Sequence, residues 1–192
     1  VRECLYGLLL PSGNDAATAF AEHFGRRFAA DRDPASISDE ESYKLFVDEM
    51  NRVAKELGLR NTQFRNPHGL SARGHHSSAR DLAQLARAAG QHALFREVTS
   101  TRRRGALLTH TSGYQRPVVW ENTNQLLKQS GFVGVKTGTT GPAGACLVSR
   151  GVRNGHELIV VVLGSTSPDG RYVDSRNLYR FAWSELEKQQ KK

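Results

Sequence analysis

Apolar positions recur at intervals of three and four through the first half of the chain and alternate in the last third. This predicts a helical block followed by strands. Val1–Leu10 reads as the end of an apolar helix, stopped by Pro11-Ser12-Gly13. Asn14 opens a second helix, as the N-cap of residues beginning at Asp15, with Ala16, Ala17, Phe20, Ala21 and Phe24 on its buried side. Arg26–Ile37 is polar, contains Pro34 and serves as a connection. Ser38 with Glu41 forms a capping box for a long amphipathic helix through Tyr43, Phe46, Val47, Met50, Val53, Ala54 and Leu57, which Gly58 ends. Asn61–His76 is a loop, and Ser78 caps a short helix that turns Leu82, Leu85, Ala86 and Ala89 inward and stops at Gly90.

From Val98 to Trp120 the pattern is irregular, and its Thr, Val and Tyr content predicts short strands. Val133–Thr137, Ala145–Gly151 and Glu157–Gly164 are clearer strands. The last two are joined through Arg153-Asn154-Gly155, where Asn-Gly favours a two-residue hairpin turn. Ser167-Pro168 caps a final helix carrying Tyr172, Tyr179, Ala182, Trp183 and Leu186, and the charged tail Glu187–Lys192 marks the domain edge. A helical block, an antiparallel sheet and a covering helix make an α+β layered domain.

The 192 residues suffice for one substantial core, and an apolar share of 38% with five or six clearly periodic segments argues against disorder. The longest apolar run, Leu158–Leu163, is of strand length, far short of a membrane span. Val1–Pro11 has neither a small-residue cleavage site nor an initiating methionine, so it reads as a helix opened by a fragment boundary and not as a signal peptide. A net charge of +8 favours an anionic partner: nucleic acid, anionic lipid or an acidic wall polymer. The basic residues are scattered, with Arg102–Arg104 the only tight run, which favours a solvated surface over a nucleic-acid patch. Cys4 and Cys146 stand alone on apolar segments and read as two buried free thiols, neither a disulfide nor a metal site.

The chemistry concentrates in Val133–Gly144, VGVKTGTTGPAG. Lys136, Thr137 and Thr139 alternate with Gly138 after an apolar lead-in and project from a strand end. A cation flanked by hydroxyls suits a carboxylate, and the glycine lets a ligand lie against the backbone. Three readings of Lys136-Thr137-Gly138 compete. A phosphate-cradling loop needs a glycine directly before the lysine and a helix after it, and here Val135 and a strand stand instead. A solvated strand end with a turn at Gly141-Pro142 is the structural reading. The third is an anion-binding edge strand of a serine acyl-transferase, where Lys-Thr-Gly accompanies Ser-x-x-Lys and Ser-x-Asn. Ser12-Gly13-Asn14 is open in the same way, between turn-and-cap chemistry and a hydroxyl and an amide offered to a shared cleft.

With both triplets present in this order, the chain resembles the penicillin-binding, serine-type D-alanyl-D-alanine carboxypeptidases. The resemblance rests on five ordered blocks: Leu5–Ala16 (LYGLLLPSGNDA), Phe64-x-Asn66-Pro67-His68-Gly69-Leu70, Ala79-Arg80-Asp81-Leu82-Ala83, Asn122-x-Asn124-x-Leu126-Leu127 and Val135-Lys136-Thr137-Gly138. It implies a β-lactamase/transpeptidase-like fold over residues 1–192, a helical subdomain beside an antiparallel sheet covered by helices. It also implies roles. Ser12 would relay a proton between the catalytic lysine and the leaving amine, and Asn14 would hold the substrate amide and help position that lysine. Lys136, with Thr137, Gly138 and Thr139, would bind the terminal carboxylate of a D-Ala-D-Ala stem peptide. The Thr139 N–H would supply half of the oxyanion hole. The other blocks, His68 included, are read as structural. His110 and the pair His75-His76 match no ligand spacing and are expected to be exposed.

The implied partners are the peptidoglycan stem peptide and, as acylating inhibitors of the intact enzyme, β-lactam antibiotics. No metal, cofactor or nucleic acid is implied, and membrane contact is peripheral or through segments outside the chain. The implied location is the periplasm or cell envelope, after export.

One motif of the family has no counterpart. Its nucleophile and base lie on Ser-x-x-Lys, before Ser-x-Asn. The residues three before the seven lysines are Glu41, Arg52, Gln125, Val133, Glu185, Lys188 and Gln189, and none is serine. The chain is therefore expected to be a fragment without the N-terminal strands and nucleophile helix, inactive alone. Two rivals share its groove. A β-lactamase needs a deacylating glutamate, which none of the eleven glutamates matches in setting. A non-catalytic peptidoglycan-binding protein would keep only the carboxylate-binding wall.

Overall fold

The computed structural model describes residues 1–190, so Lys191 and Lys192 of the predicted tail lie outside the described residues. Helices α1 (Arg2–Leu9), α2 (Asn14–Phe24) and α3 (Asp39–Glu56) form the helical block. Ser42 ties α3 to α2: its Oγ lies 3.0 and 2.6 Å from the carbonyl oxygens of Ala21 and Glu22. On α2 only Ala17 and Ala21 are buried. Phe20 and Phe24, expected inside, stack on each other at 5.5 Å and stay partly exposed. Half of the predicted capping box forms. Ser38 Oγ accepts from the Glu41 N–H at 3.2 Å, while the Glu41 carboxylate turns to Arg32. At the other end Gly58 takes a φ of 68°, and Gly58 and Leu59 N–H groups return to the carbonyls of Lys55 and Ala54 at 2.9 Å each, closing the helix with a left-handed cap. The connection between α2 and α3 holds two single-turn helices, Gly25–Phe28 and Pro34–Ser36.

The Asn61–His76 loop is closed by a bridge between Gln63 and His76 and is anchored to α4 (Ala79–Ala89) through Asp81. The Asp81 carboxylate accepts from the Asn61 N–H at 2.7 Å and from the Thr62 hydroxyl at 2.8 Å. Burial pushes this carboxyl up, and the Thr62 and Asn61 hydrogen bonds more than offset it, leaving it below the usual carboxylate range.

Two expectations fail here. Residues 93–100 form a helix, α5 (Ala93–Ser100), so the predicted strands start only at Arg103. β-Branched Val98 and Thr99 weaken the local helical signal. Tertiary burial overrides it, because Val98 is fully buried against Tyr6 and Leu10. The thiols are not buried: Cys4 is exposed and Cys146 half-buried. On α1 the buried residues are Tyr6 and Gly7, with Leu10 buried just past the helix end, and at about 100° per residue Cys4 falls on the side away from Tyr6.

Strands β1 (Arg103–Thr109) and β2 (Gln115–Glu121) pair antiparallel as a separate hairpin. The main sheet is antiparallel with order β3-β4-β5, from β3 (Phe132–Thr140), β4 (Gly144–Arg153) and β5 (His156–Ser165). Asn154 and Gly155, at φ 50° and 77°, make the predicted hairpin turn. Helix α6 (Gly170–Gln190), capped by Ser167 Oγ on the Gly170 N–H at 2.9 Å, covers β4 and β5. Buried Tyr179 centres this layer: it stacks on Trp183 at 4.8 Å, meets the Phe132 ring edge-on at 5.0 Å and donates to Ser149 Oγ at 3.2 Å. Helices α4 and α5 pack against β5 and β3.

The Asn122–Leu127 block is a polar clasp. Asn122 donates to the carbonyls of Thr99 and Thr101, at 3.2 and 3.0 Å, and accepts from the Asn124 N–H at 3.0 Å. Buried Asn124 donates to the Gly134 carbonyl at 3.0 Å and accepts from the Leu126 N–H at 3.1 Å. One pair of amides thus joins α5, the single-turn helix Gln125–Lys128 and β3. Asn124→Ala leaves the Gly134 carbonyl and the Leu126 N–H without partners. It should lower the unfolding free energy by about 2–3 kcal/mol in a urea titration; a change below about 0.5 kcal/mol would show that the clasp is dispensable.

Candidate functional site

The α1–α2 turn is held by backbone. The Gly13 N–H bonds to the Gly7 carbonyl at 3.1 Å, and a Cβ on Gly13 would sit 2.7 Å from that oxygen, so only glycine fits. Ser12 takes a φ of 66°, a left-handed conformation that costs a non-glycine residue about 1 kcal/mol. Its exposed hydroxyl makes no hydrogen bond among the described residues. The capping reading of Asn14 is overturned. Gly13 is the N-cap, Asn14 is the first helical residue, and its side chain caps nothing. A polar side chain released from local backbone duty is available to a ligand.

Opposite this turn lies β3, the edge of the main sheet, paired among the described residues with β4 alone. Lys136 is half-buried, its Nζ donates to the Thr137 carbonyl at 2.9 Å, and no carboxylate pairs with it among the described residues. Burial, with a smaller contribution from the Arg171 charge, lowers its pKa from 10.5 to about 8. Gly138 is open on the side where a Cβ would stand. The two threonines are already engaged. Thr137 is buried and shares a hydrogen bond with Thr123 at 2.6 Å, and Thr139 Oγ1 accepts from Arg171 Nη1 at 2.9 Å. Accepting leaves the Thr139 hydroxyl proton free to donate.

Arg171 is the functional candidate that sequence reasoning missed. Its guanidinium also donates to the Gly138 carbonyl at 3.3 Å and lies over the Tyr172 ring at 5.0 Å. One signal was present: an arginine in the first turn of a helix opposes the helix dipole, which is unfavourable unless the charge is wanted there.

The third wall is the loop at Asn66–Leu70. Buried Asn66 cages it, donating to the Leu70 carbonyl at 2.8 Å and accepting from the Gly69 N–H at 2.7 Å. His68 accepts from the Leu70 N–H at 3.2 Å within the loop and also lines the cleft. His75 differs from expectation: it is half-buried, accepts from the Arg65 N–H at 3.1 Å and meets Phe64 edge-on, and burial lowers its pKa. His76 and His110 are exposed. Across the mouth, Ser71 and Thr140 share a hydrogen bond at 2.7 Å.

Together these walls enclose a cleft of about 460 Å³ that gathers Ser12, Asn14, Lys136, Thr137, Gly138 and Thr139. That is the size of a small-ligand site, cationic on one side and offering a free hydroxyl and a free amide on the other. No cluster of three or more His, Cys, Asp or Glu residues fit for a metal occurs among the described residues.

Comparison with known proteins agrees with this geometry. A family model described as D-alanyl-D-alanine carboxypeptidase, of peptidase family S11, matches residues 1–167. The D-alanyl-D-alanine carboxypeptidase of Streptomyces sp. (strain K15) is 37% identical over 186 residues, covering 96% of this chain and 61% of that protein. The carboxypeptidase DacF of Bacillus subtilis (strain 168) is 38% identical over 189 residues, covering 97% and 43%. The chain thus spans about half the length of these curated relatives. Among solved structures, the Streptomyces K15 DD-transpeptidase superposes with a TM-score of 0.86 at 37% identity, over 96% of this chain and 68% of that one. The carboxypeptidase DacD from Francisella tularensis does so at 0.79 and 28%, over 96% and 52%. The α+β architecture is therefore that of the penicillin-binding proteins. Matched by the family model over most of its length, and aligned almost end to end with relatives of that name, the chain belongs to the serine-type D-alanyl-D-alanine carboxypeptidase family.

Proposed function

We propose that these residues form the substrate-binding wall of an exported D-Ala-D-Ala carboxypeptidase, which removes the terminal D-alanine of peptidoglycan stem peptides through an acyl-enzyme. The observation that carries this is the Lys136 ammonium, withdrawn from water across a cleft from a free hydroxyl and a free amide, with no carboxylate partner among the described residues. A buried cation without a partner is costly, and a ligand carboxylate would repay it. Lys136 and the Thr139 hydroxyl would grip the terminal carboxylate, with Arg171 behind Thr139 adding positive potential. Gly138 would let the peptide lie along the open edge of β3.

In the reaction, a serine hydroxyl adds to the carbonyl of the D-Ala-D-Ala bond, and the Thr139 N–H would hold the resulting oxyanion. Ser12 would pass the proton to the departing D-alanine amine, and Asn14 would hold the substrate amide. Water then releases the acyl group. The attacking serine and its base belong to a Ser-x-x-Lys that these 192 residues do not contain. Penicillins would acylate the same serine in a polypeptide that carries it. The sites of action would be the periplasm or cell envelope, with membrane contact peripheral or through segments outside these residues; no helix among the described residues is long and apolar enough to cross a membrane.

Two kinds of experiment follow, the first on activity. In a polypeptide that includes Ser-x-x-Lys, Lys136→Ala should slow acylation by D-Ala-D-Ala peptides about a hundredfold. Asn14→Ala should impair turnover with an unchanged melting temperature. Unchanged acylation in Lys136→Ala would remove the role given to that lysine. The 192 residues alone should take no covalent label from fluorescent penicillin, and labelling would place a nucleophile among them.

The second concerns stability. Between about pH 8 and 10.5 the unfolded chain keeps the Lys136 proton that the folded one has lost, so stability should rise with pH through that window. Below it the cost is fully present, on the order of 3 kcal/mol. Lys136→Met should therefore stabilise the protein at pH 7 by up to about that amount and flatten the rise, as read by denaturant titrations at the two pH values. A destabilised Lys136→Met would show that the charge is satisfied in place.

A further inference from the structure

We propose that the β1–β2 hairpin is a membrane-docking arm, which lays one of its faces on an anionic lipid surface. Side chains alternate along paired strands, so the register puts Arg103/Glu121, Gly105/Val119, Leu107/Pro117 and Thr109/Gln115 on one face. The opposite face serves the fold at its base, while its outer pair, Leu108 and Arg116, is exposed. Trp120 packs on the Tyr6–Leu10–Val98 cluster, and Arg104 pairs with Glu3 and lies over the Tyr6 ring at 4.8 Å. The first face is open. Leu107 is 56% exposed, Val119 53%, and no heavy atom lies within 4 Å of where a Cβ on Gly105 would stand. At the end of the arm Tyr114 is 67% exposed.

Charge is sorted along the same face. At its base Arg102, Arg103 and Lys128 line a cavity of about 190 Å³ whose single acid is Glu121. Glu121 stands 3.9 Å from Arg103, both well exposed, so it neutralises little. Arg102 and Lys128 have no carboxylate partner among the described residues. Leu107 is four residues from Arg103, about 13 Å along the strand. A lipid surface would meet both ends at once, with cations at the phosphates and Leu107, Pro117 and Val119 at the acyl boundary. Tyr114 suits the same zone, apolar in its ring and polar at its tip. The net charge of +8 draws the whole molecule to the same kind of surface. Two apolar rungs rimmed by cations are small for a protein interface core, and a nucleic acid would have no use for Leu107 and Val119.

The test is sedimentation of the chain with phosphatidylcholine vesicles, with and without phosphatidylglycerol. Binding should require phosphatidylglycerol and weaken with salt. Arg102→Gln/Lys128→Gln should weaken it about thirtyfold, and Leu107→Ser/Val119→Thr about tenfold, with unchanged circular dichroism. Tyr114→Trp should shift its emission to the blue on the vesicles. Absence of binding overturns the proposal, as does binding that survives the Leu107/Val119 change, which would be attraction of charge alone. A Trp at position 114 that reports no change overturns it independently of how the double variants fold.

Discussion

Holding the Lys136 ammonium partly out of water, with no carboxylate to answer it, works against folding, and the surroundings of β3 must offset that cost. They do so with neutral hydrogen bonds. Asn124 grips the Gly134 carbonyl, Thr123 meets Thr137, and the Tyr172 hydroxyl donates to the Thr123 carbonyl at 2.9 Å. On the other side β4 pairs antiparallel with β3 in continuous register from Gly134 to Thr140, beyond a register shift at Val133. Each such bond contributes about 1 kcal/mol net, so a few of them match the penalty on the lysine. The strand is fixed without any group that would neutralise Lys136, and the charge stays available.

The same division of labour runs around the cleft. Polar side chains that build it are satisfied: Asn66 within its own loop, Asp81 on Asn61 and Thr62, Asn122 and Asn124 on backbone groups. Of those proposed to meet substrate, Thr137 and Thr139 are engaged by Thr123 and Arg171, whereas the Ser12 and Asn14 side chains make no hydrogen bond among the described residues. Ser12 accepts backbone strain to keep a hydroxyl in the cleft, and Asn14 sits on a helix it does not cap. Satisfaction of hydrogen bonds thus sets the shape-holding blocks apart from Ser12 and Asn14, and the absence of a carboxylate among the described residues sets Lys136 apart.

Much of this was legible because its causes are local. The long helix α3 announces itself by Ser38, Gly58 and a regular apolar stripe, and the β4–β5 turn by Asn154-Gly155. Six of the residues that line the cleft were singled out because the Ser12 and Lys136 triplets stand in order among five family blocks. What stayed hidden depends on tertiary contact. Helix α5 is eight residues long and is stabilised by the burial of Val98 against α1. Arg171 reaches Thr139 only because the start of α6 folds back onto β3. Cys4 was misplaced because a two-turn helix gives too few apolar positions to fix which side faces inward.

The account stands on a carboxylate meeting Lys136. Its most direct measurement is an amide chemical-shift titration of the isotopically labelled chain with a peptide ending in D-Ala-D-Ala, beside the same peptide as its C-terminal amide. The free acid should move the signals of Ser12–Asn14 and Lys136–Thr140, and the amide should not. Equal responses to the two peptides, or shifts that map away from this cleft, would contradict it.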